Sequence, residues 1–361
     1  MKKRVLYVYR GPREVILSDA LKGLTPDSML FGLNHLRTLG YHVDFFDDAF
    51  LRLNVFKPLF FPLEQIIIRD IGMGFKLDQA TLLLPKIKDY DVIVCTSDSA
   101  GLPFLFYKHL GIIKKPLIIL GSGLPGALLG NQDSWVTRLY RKIFASITVI
   151  AVYSHLEADF YQNILRVPKD RICIIPYGTD WQFWQKKSNK KRTIISAVGV
   201  DSGRDYKTFF EAIRNISIPA VVLCHPDNVR GISMPKNVRC EFLVGYQRVR
   251  EVFQTSRVVV VPCKEHYRSA GQMVVLEASS TRTPAIASKI TGLISAFDLV
   301  DKKHLLYVDP EDPIDLRRAI EYLLKIPKRA QTLGRRASLF VRDHYTSKHL
   351  AENIADIIDS T

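Results

Sequence analysis

The stretch Ser269-Ala-Gly-Gln-Met-Val-Val-Leu-Glu277-Ala-Ser-Ser-Thr-Arg-Thr-Pro284-Ala-Ile-Ala-Ser288 decides the reading of this chain. Just before it, Val258–Pro262 is a β-branched apolar run with the look of a buried strand. A loop bearing Gly271 follows, then a helix expected over Gln272–Ser280, then another short apolar strand, Ala285–Ser288. Strand, glycine-bearing loop, helix, strand is the βαβ unit of a parallel sheet. The helix start at Gly271, Gln272, Met273 and Val274 would offer unpaired N–H groups and the positive end of a helix dipole, which suits a phosphate. Glu277 lies further along the same helix. Physics alone leaves an ordinary strand–loop–helix with a surface glutamate as an equal alternative.

The same rhythm runs outward in both directions. Towards the C-terminus come strand Leu305–Val308, helix Pro313–Leu324 and a broken helical stretch, Lys328–Ile358. Before it lie strand Thr193–Val198, helix Asp205–Asn215, strand Ala220–Cys224 and helix Tyr246–Thr255. The N-terminal half repeats the layout with strands Arg4–Tyr9, His42–Phe46, Asp91–Thr96, Pro116–Leu120, Ile147–Val152 and Arg171–Ile175. Helices are expected over Asp27–Leu39, Asp78–Lys88, Leu102–Leu110, Asp133–Phe144 and Ser154–Leu165. Phe183–Lys191 is polar, basic and aperiodic, and reads as a linker. The expectation is an α/β protein: an N-terminal domain over 1–182, a linker over 183–192, a C-terminal domain over 193–340 and a final helix over 341–361. Ligands of open parallel sheets bind at the carboxyl ends of the strands. Two such sheets place the expected site in the cleft between them.

Composition narrows the class. A 361-residue chain with 47% hydrophobic and 24% charged residues is globular, not disordered. No run of about 20 apolar residues is present to span a bilayer. The apolar run after Met1-Lys2-Lys3-Arg4 is too short for a signal peptide, so a cytoplasmic protein is expected. The five cysteines read as free thiols. A net charge of +15 points to an anionic partner: nucleic acid, acidic membrane or phosphorylated small molecule. The charge is spread over both halves, with no basic arm and no helix-turn-helix, zinc or RNA-binding motif, so no nucleic-acid partner is expected. After the first strand comes Tyr9-Arg-Gly-Pro-Arg-Glu, not Gly-x-Gly-x-x-Gly, which excludes a Rossmann oxidoreductase.

The segment from Ser269 to Pro284 resembles the motif of retaining GT-B glycosyltransferases of family 4: Glu, seven residues, Glu, then small residues closing in Thr-Pro. Glu277 matches the second glutamate and Thr283-Pro284 the closing pair. Ser269 stands where the first glutamate is usual, giving the Ser-x-Gly-Gln wording of some bacterial members. The resemblance extends to Val167-Pro-Lys-Asp-Arg-Ile-Cys-Ile-Ile-Pro-Tyr-Gly178-Thr-Asp180, where Asp180 can cap the next helical turn. It extends also to the segment from Gly199 through Arg204 to Lys207, similar to the family's phosphate loop. Val200 replaces the usual arginine, and Arg204 matches the usual lysine. Arginine can grip a diphosphate bidentately.

The resemblance implies two Rossmann-like doubly wound domains facing a cleft, with the C-terminal helix crossing back onto the N-terminal domain. It implies a nucleotide-diphosphate sugar as donor substrate, no cofactor and no metal. The donor site would comprise Gly199, Arg204, Lys207, Tyr246, Ser269, Gly271, Gln272, Met273, Val274 and Glu277, with Arg204 and Glu277 catalytic. Tyr246 would stack on the base, with a half-buried structural aromatic as the alternative. Glu265 or Gln272 would cover for the glutamate missing at Ser269. The acceptor side would involve Gly11, Arg13, Asp98 and Ser122, and the acceptor would be a glycan or a lipid-linked glycan. Leu51–Leu63, where large apolar residues alternate with Arg52 and Lys57, suggests an anionic membrane surface as partner. Its two prolines argue against a regular helix. The alternative function is a catalytically inactive relative that binds a nucleotide or glycan.

Overall fold

The computed structural model describes residues 2–47, 55–121, 123–185, 190–265 and 270–361. The chain divides into two compact units. Unit 1 comprises Met1–Ser18, Met29–Pro176 and Lys348–Thr361; unit 2 comprises Asp19–Ser28 and Tyr177–Ser347. The change of unit falls at Pro176/Tyr177, ahead of the expected linker. Asp180 accepts the Phe183 N–H at 2.9 Å and starts a short helix, Trp181–Trp184. Phe183 and Trp184 are buried, Trp184 against Phe253 and Tyr246 and Phe183 against Trp184, so this end of the supposed linker is core. Lys186–Asn189 lie outside the described residues.

Unit 1 is a parallel sheet in the order β2-β1-β3-β4-β5-β6. Its strands are β1 (Arg4–Val8), β2 (His42–Phe46), β3 (Val92–Cys95), β4 (Leu117–Leu120), β5 (Val149–Val152) and β6 (Ile172–Ile174). Every residue of β3, β4 and β5 is buried, because helices cover both faces. The helices are α1 (Glu14–Leu21), α2 (Leu33–Thr38), α3 (Lys57–Ile71), α4 (Leu77–Ile87), α5 (Asp98–His109), α6 (Leu124–Leu128), α7 (Trp135–Phe144) and α8 (His155–Asn163).

Unit 2 opens with the Trp181–Trp184 helix as α9. It is a second parallel sheet in the order β12-β11-β10-β7-β8-β9. The strands are β7 (Ile194–Gly199), β8 (Ala220–Cys224), β9 (Val238–Phe242), β10 (Ser256–Val261), β11 (Ala285–Ser288) and β12 (Leu306–Val308). The helices are α10 (Tyr206–Ile213), α11 (Tyr246–Thr255), α12 (Gln272–Ser280), α13 (Thr291–Ile294), α14 (Pro313–Lys325) and α15 (Pro327–His344). Tyr206, Phe209 and Phe210 of α10 pack with Ile320 and Leu323 of α14 over one face. The last helix, α16 (Ser347–Ser360), packs in unit 1: Lys3 Nζ donates to the Ile358 carbonyl at 2.7 Å and Tyr41 Oη to Asp359 at 2.7 Å.

Two expectations are corrected, and one strand had not been expected. The helix expected over Asp27–Leu39 is broken, because Phe31 and Gly32 take left-handed backbone, φ 49° and 80°. A Cβ on Gly32 would stand 2.9 Å from that of Ala351, so α16 needs a glycine there. β9, a half-exposed edge strand, has no apolar run to announce it. And α3 is a helix despite Pro58 and Pro62: Pro58 occupies its first turn, where no intrahelical N–H bond is lost.

In each sheet the connections reverse direction beside the first strand: between β1 and β3 in unit 1, and between β7 and β10 in unit 2. Crevices for ligands open at such points, at the carboxyl ends of the strands.

Candidate functional site

In unit 2 that point is tightly built. The chain leaving β7 is laced to the chain leaving β10: the Asp205 N–H donates to the Pro262 carbonyl and the Lys264 N–H to the Gly203 carbonyl, both at 3.0 Å. The Cys263 N–H reaches Ser288 Oγ, at the end of β11, at 3.0 Å. These ties hold Arg204 beneath the turn that opens α12.

Arg204 is the centre of the cluster. Its side chain is only 4% exposed, and its Nε lies 2.7 Å from Asp201 Oδ2. Nη1 is 3.6 Å from Cys263 Sγ. Burial works to lower its pKa, but Cys263 and Asp201 outweigh it, and the guanidinium stays charged. A Cβ on Gly199 would overlap that guanidinium. Gly271 has φ 87°, and a Cβ there would stand 2.6 Å from Val261 Cγ1 and 3.3 Å from Arg204 Nη1. Both glycines are therefore demanded by close approach.

Gly271 begins α12 without any side-chain cap, and its carbonyl accepts the Val275 N–H at 3.0 Å. The amides of Gln272, Met273 and Val274 form the helix's open first turn. Glu277 stands on the same helix, 5% exposed, with Oε1 lacking a hydrogen-bond partner. Burial pushes its pKa up to about 8, while the Arg204 charge pulls the other way. A buried carboxyl with an empty acceptor beside a buried cation is suited to hydroxyls brought by a ligand.

The structure brings Gly199, Arg204, Gly271 and Glu277 together with the α12 start. Lys207 is exposed on α10. Tyr246 opens α11 after the edge strand β9, and its ring packs edge-on against Trp184, centroids 6.2 Å apart. That is the structural alternative for this aromatic. Glu265 Oε1 accepts the Thr291 N–H at 3.0 Å, at the start of α13. Ser269 lies outside the described residues. Sequence reasoning missed Asp201 and Cys263. The spacing of Asp201 three residues before Arg204 was the available signal.

In unit 1, Gly11 follows β1 with φ 86°. Arg13 is folded back locally: its guanidinium donates to the Gly11 and Pro12 carbonyls at 3.3 and 3.0 Å and lies over the Tyr9 ring. Its N–H donates to Asp47 Oδ2 at 2.6 Å. Asp98 faces inward. It is 1% exposed, accepts the Gly123 and Leu124 N–H groups at 2.6 and 3.1 Å, and receives the Tyr161 hydroxyl. Its carboxylate is engaged in capping α6. Ser122 lies outside the described residues.

Residues 226–325 match the family described as "Glycosyl transferases group 1". The matched stretch takes in Gly271 and Glu277 but not Gly199 or Arg204. No curated protein matches the chain. Among solved structures, it is similar to sucrose-phosphate synthase from Thermosynechococcus elongatus: TM-score 0.72, 16% identity, 99% of this chain and 98% of that one. Anabaena HepE, solved in complex with UDP and glucose, aligns at TM-score 0.70 and 12% identity over 99% of this chain and 100% of that one. WaaG, a glycosyltransferase involved in lipopolysaccharide biosynthesis, aligns at TM-score 0.64 and 15% identity over the same shares. Two parallel six-stranded sheets with flanking helices, matched along the chain to such structures, make this a two-domain α/β protein of the GT-B fold.

Proposed function

We propose that the chain is a retaining, metal-independent glycosyltransferase that moves a sugar from a nucleotide-diphosphate donor to a glycan or lipid-linked acceptor in cell-surface polysaccharide or glycoconjugate synthesis. The observation that carries this reading is Glu277: a buried carboxyl with an unfilled acceptor, on a helix whose uncapped start lies over a buried arginine. It stands inside the stretch that matches the group 1 family.

In this reading the Glu277 carboxyl accepts hydrogen bonds from the ribose hydroxyls, and the N–H groups of Gln272–Val274 donate to the diphosphate oxygens. Arg204 supplies fixed positive charge beneath them. Glycosyl transfer needs such charge, because the carbon–oxygen bond to the leaving diphosphate breaks as the sugar becomes oxocarbenium-like. The leaving phosphate takes the proton of the attacking acceptor hydroxyl, and the new glycosidic bond forms on the same face. No carboxylate pair of glycosidase type is required. The name of the Anabaena relative's ligand makes UDP-glucose a first donor to try.

The acceptor is assigned to unit 1, and membrane association to α3. No described helix is long and apolar enough to cross a membrane. Yet Leu59, Leu63 and Ile66 share one face of α3 and are 71%, 39% and 51% exposed, with exposed Lys57 and Arg69 on the same helix. An apolar face edged with cations suits the cytoplasmic surface of an anionic bilayer. Arg52 and the rest of the 51–54 stretch lie outside the described residues. A non-catalytic binding protein is the second reading, favoured by the pairing of Arg204 with Asp201. Incubation with UDP-, GDP-, ADP- and dTDP-sugars and an oligosaccharide acceptor, with the product's anomeric configuration read by NMR, separates the two. Transfer with retention supports the first reading. Nucleotide binding without turnover supports the second.

A further inference from the structure

A strongly basic cavity lies at the other edge of the second sheet. It has a volume of about 600 Å³ and is lined by Lys190, Arg192, Arg257, Arg282 and Arg335 with no carboxylate. Arg192 precedes β7, Arg257 is the second residue of β10, and Arg282 precedes β11. These are three adjacent strands, so the arginines gather at their amino ends. The six residues of β10 separate this edge from Arg204 and Gly271 by about 20 Å.

Lys190 is paired with Glu251 at 3.2 Å, whereas two of the arginines are held by backbone carbonyls. The Arg192 guanidinium donates to the Ser256 and Thr281 carbonyls at 3.3 and 3.0 Å, and Arg257 to the Leu324 carbonyl at 3.2 Å. Burial pulls the Arg192 pKa down to about 10, a cost that an anion would relieve. Arg282 is held at φ 57° because its carbonyl lies against Gly334, where no Cβ fits. The wall opposite is the first turns of α15, which has no side-chain cap. Its dipole adds to the field of the arginines.

We propose that this cavity binds a multiply charged phosphate group, carried by a soluble phosphorylated molecule or by a lipid headgroup, at a site separate from the carboxyl edge. Multiplicity follows from the charge: several cations converge on one space without a counter-charge in its lining, and a single negative charge would leave most of them repelling.

The test uses the full chain and inorganic pyrophosphate at low salt, with amide hydrogen exchange as the readout. Pyrophosphate is expected to slow exchange in the first turns of α15. In the double variant Arg282→Asn, Arg335→Gln its dissociation constant should rise at least tenfold, while protection at the start of α12 is unchanged. Both side chains are exposed and asparagine tolerates the left-handed backbone, so the variant should melt as the parent does without ligand. Co-sedimentation with phosphatidylglycerol against phosphatidylcholine vesicles distinguishes the sources. Binding lost in the double variant assigns a lipid headgroup, and binding retained assigns a soluble phosphate. Absence of protection at α15, or protection that the double variant keeps, overturns the proposal.

Discussion

Glu277 sets the pH behaviour of the free protein. Its folded pKa, about 8, lies above the ordinary 4.5, so the unfolded chain ionises first. The group therefore costs nothing below pH 4.5, costs progressively more between about 4.5 and 8, and is constant above. Glu277→Gln should raise stability at pH 7 by on the order of 3 kcal/mol at most. Denaturant midpoints at pH 5 and 7.5 check this: the variant's should differ far less than the parent's. Gly199→Ala should do the reverse, because the new methyl meets the Arg204 guanidinium. A loss of about 2–3 kcal/mol is expected, read by the same titration. The placement of Gly271 at the opening turn and of Glu277 on α12 was legible in the sequence through the motif. The meeting of Arg204 with Cys263 was not, because it depends on two loops being stitched together by backbone bonds between residues 57 and 61 apart.

Elements were legible where packing repeats locally. β2, β8, β11, α11 and α12 stand where apolar runs and helical spacing put them. Those that failed depend on distant partners: Gly32 bends for Ala351, and Trp184 is core only because Phe253 waits beyond it. Asp98 shows the same effect at a proposed site, since its position after a strand suggested an acceptor contact and tertiary contacts made it a cap. Asp98→Ala strips two N–H bonds from the start of α6 and the partner of the Tyr161 hydroxyl. It should destabilise unit 1 by about 3 kcal/mol, measured by thermal unfolding. A variant that kept its stability and lost only acceptor affinity would restore the original assignment.

At the scale of the molecule, both sheets are six-stranded and parallel and reverse direction beside their first strand, but they differ in strand order and in what they hold at the reversal point. Unit 2 has a buried cation, two obligatory glycines and an unsatisfied acid; unit 1 has inward-turned Asp98 and a locally folded Arg13. The +15 charge was legible at once, but its distribution was not: the sequence separates the cations that gather at the amino edge of the second sheet. On α3, replacing Leu59, Leu63 and Ile66 by serine should reduce co-sedimentation with anionic vesicles at low salt at least tenfold and leave unit 1 folded, since all three are exposed. The central claim is that the start of α12 and Glu277 form a nucleotide-diphosphate site. Calorimetric titration of UDP, GDP, ADP and dTDP into the chain and into Glu277→Ala tests it most directly. The account predicts that one of them binds and that the variant binds it at least tenfold more weakly. Binding by none, or equal binding by both proteins, would contradict it.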